Sequence, residues 1–312
     1  MSAAGEPVAR APAVNRDARG RTGAVFIMGS GHSGSTILGV ALGNCAGVFF
    51  AGELDRYLSR SGTPVLGGLE RTRFWAAVRA ALPDAQQLYG GAAHRLLERS
   101  SAVLRVGSLR RRRALRAPYR SLAARLFEAI AATAGAEYVV DTSHFPLRAR
   151  ELQHVGELEL CLVFLVRDPQ AIVASIGRLE SPRRRARRLL MDLRTNADLW
   201  LTYAISLTTF SAQPPERRVF VRYEDFLERP EAVLRTILDR VGSTAEIPDL
   251  EHLRTGPAFH ANRLISSEEV ALGRGGKGHP PRRSTLTSLL QWPWSRVFAR
   301  LEREAGPPPV TG

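Results

Sequence analysis

Residues 24–42 constrain the fold of this chain more than any other stretch. An apolar run, Ala24-Val25-Phe26-Ile27-Met28, leads into Gly29-Ser30-Gly31-His32-Ser33-Gly34-Ser35-Thr36, and a helical apolar pattern follows at Ile37, Leu38, Val40, Ala41 and Leu42. A buried strand, a glycine-rich turn and a helix N-terminus, in that order, make a cradle for an anion. Small residues let the backbone approach a ligand, and the N–H groups of the first helical turn have no partner inside the helix. The glycines fit the phosphate-binding spacing GxxxxGK[ST], but Ser35 stands at the lysine position. A nucleotide triphosphatase uses that lysine on its β- and γ-phosphates. The loop therefore predicts a phosphate-like ligand without ordinary ATPase chemistry.

A second segment, Leu160 to Ile176, reads LCLVFLVRDPQAIVASI. An apolar run ending at Arg167 has the pattern of a central parallel strand that delivers its last residues to the sheet edge. Asp168-Pro169 starts a helix with proline in its first turn. Ser175 lies two turns into that helix, so Arg167 and Ser175 can reach one anionic group beside the strand end.

These segments together resemble the sulfotransferase family that uses 3′-phosphoadenosine 5′-phosphosulfate (PAPS). The family pairs a [KR]-S-G-[ST]-T loop after the first strand with a later R-D-P-x5-S segment. Here the two read His32-Ser33-Gly34-Ser35-Thr36 and Arg167-Asp168-Pro169 to Ser175. A third element, Val219-Phe220-Val221-Arg222-Tyr223-Glu224-Asp225-Phe226-Leu227, resembles the family's strand ending in YEDL, and a helix from Pro230 to Val241 follows. The resemblance covers about residues 23 to 265. It implies an α/β fold: a three-layer, open, mostly parallel sheet flanked by helices, P-loop-like, with a 5′-phosphosulfate-binding strand-loop-helix.

By the same resemblance, Gly31, His32, Ser33, Gly34, Ser35 and Thr36 bind the 5′-phosphosulfate, and Arg167 and Ser175 bind the 3′-phosphate. Tyr223 packs against or hydrogen-bonds the adenine, or else is a core tyrosine at a strand end. His260-Ala261-Asn262-Arg263 resembles a shortened H-x-x-x-GNxxR segment of some bacterial members, which adds Asn262 and Arg263 to the cofactor set. Arg274 and Lys277 are candidates for a late basic contact with the 3′-phosphate, or belong to a surface loop.

Sulfuryl transfer needs donors of positive charge or N–H at the leaving phosphate, and a base for the acceptor hydroxyl. Three catalytic candidates follow. His32 occupies the loop position that usually carries Lys or Arg; protonated on donor binding, it would assist departure of the nucleotide. Glu53, in Gly52-Glu53-Leu54, resembles a GE element whose glutamate is the general base; it would equally serve as a helix-starting carboxylate. His144 follows Asp141-Thr142-Ser143 and resembles a D-S-S-[KR] segment, with histidine again replacing a cation. Glu224 and Asp225 read as the start of a helix, and no metal is expected.

Composition sets the remaining bounds. The chain has 312 residues with 44% apolar content, enough for one large α/β domain. We expect a disordered tail over residues 1–22, a single domain over 23–303 with a helical cap at about 74–132, and a flexible tail over 304–312. Strands are expected at 47–50, 137–140, 160–166 and 219–222, and helices near 187–210 and 286–301. The formal net charge is +14 and Lys277 is the sole lysine. The runs Arg110–Arg113 and Arg183–Arg185 read as solvated faces, and no nucleic-acid-binding motif accompanies them. Cys45 and Cys161 read as buried core residues. No stretch of eighteen apolar residues suggests a membrane span, and no signal-peptide core is evident, so a cytoplasmic setting is expected.

The expected activity is transfer of a sulfuryl group from PAPS to a hydroxyl of a small-molecule, lipid or carbohydrate acceptor. A kinase-like nucleotide-binding P-loop protein and a catalytically inactive relative are the alternatives.

Overall fold

Alternation of side chains along two apolar strands sets the architecture. In a computed structural model of the chain, which describes residues 20–180, 185–273 and 284–305, strand β1 (Thr22–Gly29) sends Ala24, Phe26 and Met28 into one core and Val25 and Ile27 into another. Strand β4 (Leu158–Val166) does the same, with Leu160, Leu162 and Phe164 on the first side and Cys161, Val163 and Leu165 on the second. A strand buried on both faces is continuously apolar rather than alternating, as a central parallel strand must be.

Strands β2 (Val48–Gly52), β3 (Tyr138–His144) and β5 (Arg218–Arg222) complete a five-stranded sheet in the order β2-β3-β1-β4-β5. Every neighbouring pair is parallel. Helices α1 (Ser35–Gly43), α8 (Tyr223–Glu228) and α9 (Pro230–Val241) cover one face. Helices α4 (Leu109–Ala134), α5 (Pro146–Leu152), α7 (Arg185–Ala212) and α10 (Thr285–Ala305) cover the other. The chain leaves β1 for the edge strand β2, fills the gap with β3 and then crosses to the other side of β1 with β4. Strand order thus reverses between β1 and β4, and the crevice at their C-terminal ends is where an open sheet of this kind accepts a ligand.

Several expected boundaries shift. The strand expected over 137–140 continues to His144, because Asp141, Thr142 and Ser143 are fully buried polar residues that an apolar pattern does not reveal. The helical region expected at about 74–132 consists of several elements. Helix α3 (Leu69–Ala80) stops ahead of Pro83, and a 3-10 turn (Pro83–Leu88), a π-helical turn (His94–Glu98) and further short turns lead into α4. Pro83 and the Gly90-Gly91 pair, with Gly90 at φ +100°, interrupt the helical path. Helix α2 (Asp55–Ser59) starts two residues after Glu53, and a two-stranded antiparallel ribbon of β6 (Leu253–Arg254) and β7 (Glu269–Val270) adds an element that the sequence does not signal. Helix α6 (Pro169–Glu180) follows β4 as its proline signal requires.

Cys45 and Cys161 are free and buried, and burial pushes their thiols up to about 11 and about 12. Among the described residues, no helix is long and apolar enough to cross a membrane. The expected N-terminal tail up to residue 19 and the C-terminal tail from residue 306 lie outside the described residues, as do Arg183, Arg184, Arg274 and Lys277.

Candidate active site

The loop after β1 is shaped by two glycines and one strained histidine. A Cβ on Gly29 would lie 2.2 Å from the Leu165 carbonyl oxygen, so only glycine fits where β1 runs against β4. His32 is left-handed, with φ +64°, an uncommon conformation for a side-chain-bearing residue. Gly34, at φ +95°, caps helix α1, whose first backbone bond runs from the Leu38 N–H to the Gly34 carbonyl at 3.3 Å. The N–H groups ahead of that bond, those of Ser35, Thr36 and Ile37, have no earlier helical carbonyl to pair with. Ser33 and Thr36 are buried, while Gly31, Gly34 and Ser35 are partly exposed and His32 is exposed.

All three sequence motifs converge on this loop. Arg167, just past β4, donates from Nη1 to the His32 carbonyl at 3.1 Å. Ser175, on α6, places its hydroxyl 3.3 Å from His32 Nδ1. The guanidinium of Arg167 also stacks 4.7 Å from the centroid of Tyr223. A Cβ on Gly34 would sit 2.1 Å from Cε2 of that tyrosine, so its ring lies directly on the loop. Glu224 accepts the Asp168 N–H at 2.9 Å, and Asp168 in turn accepts the Gln170 N–H at 2.9 Å to cap α6. Glu224 and Asp225 fall in the first turn of α8, as expected.

Glu53 emerges just after β2, on the same sheet edge. Its N–H donates to the His260 carbonyl at 2.6 Å, and Gly52, at φ +80°, has no room for a Cβ, which would meet that carbonyl oxygen at 2.2 Å. His260 Nδ1 lies 3.3 Å from Glu53 Oε2. Burial pushes the Glu53 carboxyl up, but His260, the field of His144 and Arg56 outweigh it, and the net shift is below the ordinary value. Glu53 is therefore held as a carboxylate, the form a base requires. Its place as first helical acid is taken by Asp55, which opens α2.

His144 ends β3 in a left-handed conformation, φ +50°, paired in register with Met28 and packed on Phe145 with centroids 4.3 Å apart. Burial lowers its pKa despite the opposing pull of Glu53. Burial and then Arg167 lower that of His32, again against Glu53. Both imidazoles are biased toward the neutral form, and neither restores the cation its position suggested. Positive charge at the loop comes from Arg167 instead.

Asn262 and Arg263 are exposed. The Asn262 side chain accepts the Leu264 N–H at 2.8 Å and so caps the short 3-10 turn Arg263–Ser266. Among the described residues neither makes a hydrogen bond to the loop at 29–36. His260 was visible as the first residue of its segment, but nothing in the sequence pointed to its contact with Glu53, some two hundred positions earlier.

Behind Glu53 and His144 lies a buried polar chain that no sequence spacing announces. Arg148 donates to Asp141 at 2.8 Å, to Glu98 at 2.7 Å and to the Tyr119 hydroxyl at 2.6 Å. Tyr119 donates to Glu98 at 2.5 Å, and His94 Nδ1 lies 2.8 Å from the other oxygen of Glu98. Asp55, His94 and Glu98 bring possible ligand atoms within 4.8 Å of one another. Tyr119, Arg148 and His94 already engage Glu98, whereas the buried Asp55 carboxylate accepts no hydrogen bond and lies 3.5 Å from His94 Nδ1; burial raises its pKa.

A family model described as the sulfotransferase family matches residues 24–246. The chain belongs to the sulfotransferase family. No curated protein matches the sequence significantly. Among solved structures, this sulfotransferase is similar in fold to the sulfotransferase domain from the curacin biosynthetic pathway, at 17% identity and TM-score 0.52, covering 88% of this chain and 98% of that one. It is likewise similar to the sulfotransferase domain of the Synechococcus PCC 7002 olefin synthase, at 19% identity and TM-score 0.52, covering 89% and 96%. The strand-loop-helix over 22–43 falls, from residue 24 on, inside the region that the family model matches.

Proposed function

We propose that this sulfotransferase takes PAPS as donor and passes its sulfuryl group to a hydroxyl of a small-molecule, lipid or carbohydrate acceptor, releasing 3′,5′-adenosine bisphosphate. One observation carries the reading: Arg167 and Ser175 both reach His32, so a single rim offers the free helical amides and a guanidinium to an anion. The donor set suits a doubly charged nucleotide. Arg167 uses one N–H on the His32 carbonyl, which leaves the rest of its fork for a phosphate.

In this reading Gly31, Ser33, Gly34, Ser35 and Thr36 hold the 5′-phosphosulfate, and Arg167 and Ser175 hold the 3′-phosphate. Tyr223, fixed between Gly34 and Arg167, bounds the adenine site, with Asn262 and Arg263 further along the nucleotide. Glu53, kept ionised by its neighbours, removes the acceptor proton. His144 stands beside it as a neutral imidazole able to orient the same hydroxyl. His32 begins neutral, gains a proton as the dianion arrives, and returns it to the departing phosphate oxygen. Charge development is met by fixed donors, and the reading uses no metal. We place the protein in the cytoplasm, where its two free thiols stay reduced.

Thermal unfolding tests the donor assignment. Adenosine 3′,5′-bisphosphate is expected to raise the melting temperature, and ATP with magnesium is not. Protection by ATP alone would overturn it. Incubation with PAPS and candidate hydroxyl compounds, followed by mass spectrometry for one added SO3, identifies the acceptor.

A further inference from the structure

We propose that Asp141 is the positioning residue of the site: one buried carboxylate sets both the turn that carries Glu53 and the turn that carries His144. This deepens the reading above and rests on it for the roles of those two residues.

Asp141 is fully buried in β3, where it pairs in register with Phe26 of β1 and Gly52 of β2. Register shifts occur on both sides at this level, between Phe26 and Met28 and between Phe50 and Gly52. Irregularities of this sort re-aim side chains at the ends of strands beside active sites. Here the backbone ladder stops specifying geometry just where the candidate bases begin, and the Asp141 side chain takes over.

Its Oδ1 accepts the Ser143 N–H at 2.9 Å, accepts the Ser143 hydroxyl in a short bond, and receives the Leu54 N–H at 3.4 Å. The Ser143 oxygen in turn accepts the Asp55 N–H at 2.9 Å. The two amides that follow Glu53, and the one that precedes His144, are thus held by one carboxylate and its serine relay. A hydroxyl that donates to a carboxylate becomes a better acceptor, so the relay strengthens both of its bonds. The other oxygen, Oδ2, accepts from Arg148 Nε at 2.8 Å. Arg148 then ties the assembly to Glu98 and Tyr119 of the cap.

A purely structural role does not account for the direction of these bonds. Strand β3 is already fixed by its regular pairing with β1 and β2 from Tyr138 to Val140, and its apolar residues Val139 and Val140 are fully buried. The side-chain bonds run on from Asp141 to the ends of two neighbouring strands, each of which carries a base candidate. Displacing a reacting group by about 1 Å costs on the order of a hundredfold in rate, which is the scale of effect such anchoring controls.

The test compares Ser143→Ala and Asp141→Asn with the full-length wild type, with Asp141→Glu as the conservative variant. Ser143→Ala removes the relay and leaves the Asp141–Arg148 pair, so it keeps a measurable fold if Asp141→Asn does not. Expected is a fall in kcat of roughly ten- to a hundredfold, with adenosine 3′,5′-bisphosphate binding within about twofold of wild type, because the donor grip at His32 and Arg167 is separate. In a Glu53→Gln, His144→Ala background, Ser143→Ala is expected to lower the residual rate no further. Hydrogen exchange at the amides of Leu54, Asp55 and Ser143 is expected to quicken, and exchange at residues 29–36 to stay as in wild type. Unchanged exchange at those three amides overturns the proposal, as does a kcat loss that persists undiminished in the double-variant background. Absence of transfer by the wild type would sink the functional reading instead, while the exchange measurement still decides whether Asp141 holds the two turns.

Discussion

Arg167 Nη1 donates to the main-chain carbonyl of His32 at 3.1 Å, and this bond ties the end of β4 to the loop after β1. The loop has no lysine or arginine of its own over residues 29–36, so the guanidinium brings the cation that its sequence omits. It also stacks on Tyr223, which draws the third motif into the same rim. A planar fork meets both demands, and a point charge cannot.

Arg167→Ala is therefore expected to weaken binding of adenosine 3′,5′-bisphosphate by roughly ten- to a hundredfold, the scale of lost hydrogen bonds to a charged group. Arg167→Lys should recover part of the charge but not the stacked, two-sided geometry, and so fall in between. Titration calorimetry with the bisphosphate reads both values. Equal affinity in wild type and Arg167→Ala would separate the arginine from the donor.

Gly34 offers a test by steric coupling. Gly34→Ala combines a φ of +95° with a methyl placed 2.1 Å from the Tyr223 ring. The left-handed backbone alone costs about 1–2 kcal/mol for a residue with a side chain, and the ring contact adds to it. We expect a lower melting temperature and weaker donor binding, both eased when Tyr223→Ala is added. The relief should lie within the roughly 0.5–3 kcal/mol typical of contacting pairs. Strictly additive losses would mean that the ring does not rest on the loop in solution.

Glu53 and His260 predict a pH dependence with a definite sign. Burial alone would raise the Glu53 carboxyl; His260 and neighbouring positive charge bring it below its ordinary value. The acid limb of kcat/KM should accordingly lie at or below the usual carboxylate range in wild type. In His260→Ala, burial is less opposed, so the limb is expected to move to higher pH with the rate at high pH better preserved. A limb that stays in place would show that Glu53 is not the group titrating.

His32 separates positioning from proton transfer. His32→Ala should reduce kcat by about a hundredfold or more, the contribution expected of a positioned acid, while Arg167 keeps most of the donor affinity. His32→Arg, which restores a fixed cation at that position, should bind the donor more tightly and flatten the pH profile. Stopped-flow binding together with steady-state rates distinguishes the two effects. Turnover unchanged in His32→Ala would remove the catalytic role.

The order of elements around the cradle was legible because it depends on local rules. The apolar runs at 24–28 and 160–166, the glycine turn between strand and helix, and Asp168-Pro169 at a helix start each act within a few residues. The same rules missed the extension of β3 to His144, since Asp141, Thr142 and Ser143 are polar yet buried. They marked the cap as helical without resolving its separate helices and turns. Its turns between Pro83 and Ser108 are set by what they pack on, including the His94–Glu98 pair against Arg148 and Tyr119.

Sequence alone determined the strand-loop-helix and the arginine just past the end of β4, because backbone periodicity and glycine conformation are properties of neighbouring residues. Only the tertiary structure decided that His260 faces Glu53, that Tyr223 lies on Gly34, and that Asp141 holds two turns at once. Those relations join residues up to about two hundred positions apart. They depend on how buried charges and hydrogen bonds are satisfied once the helices have packed on the sheet, and a pattern read along the chain holds no record of that.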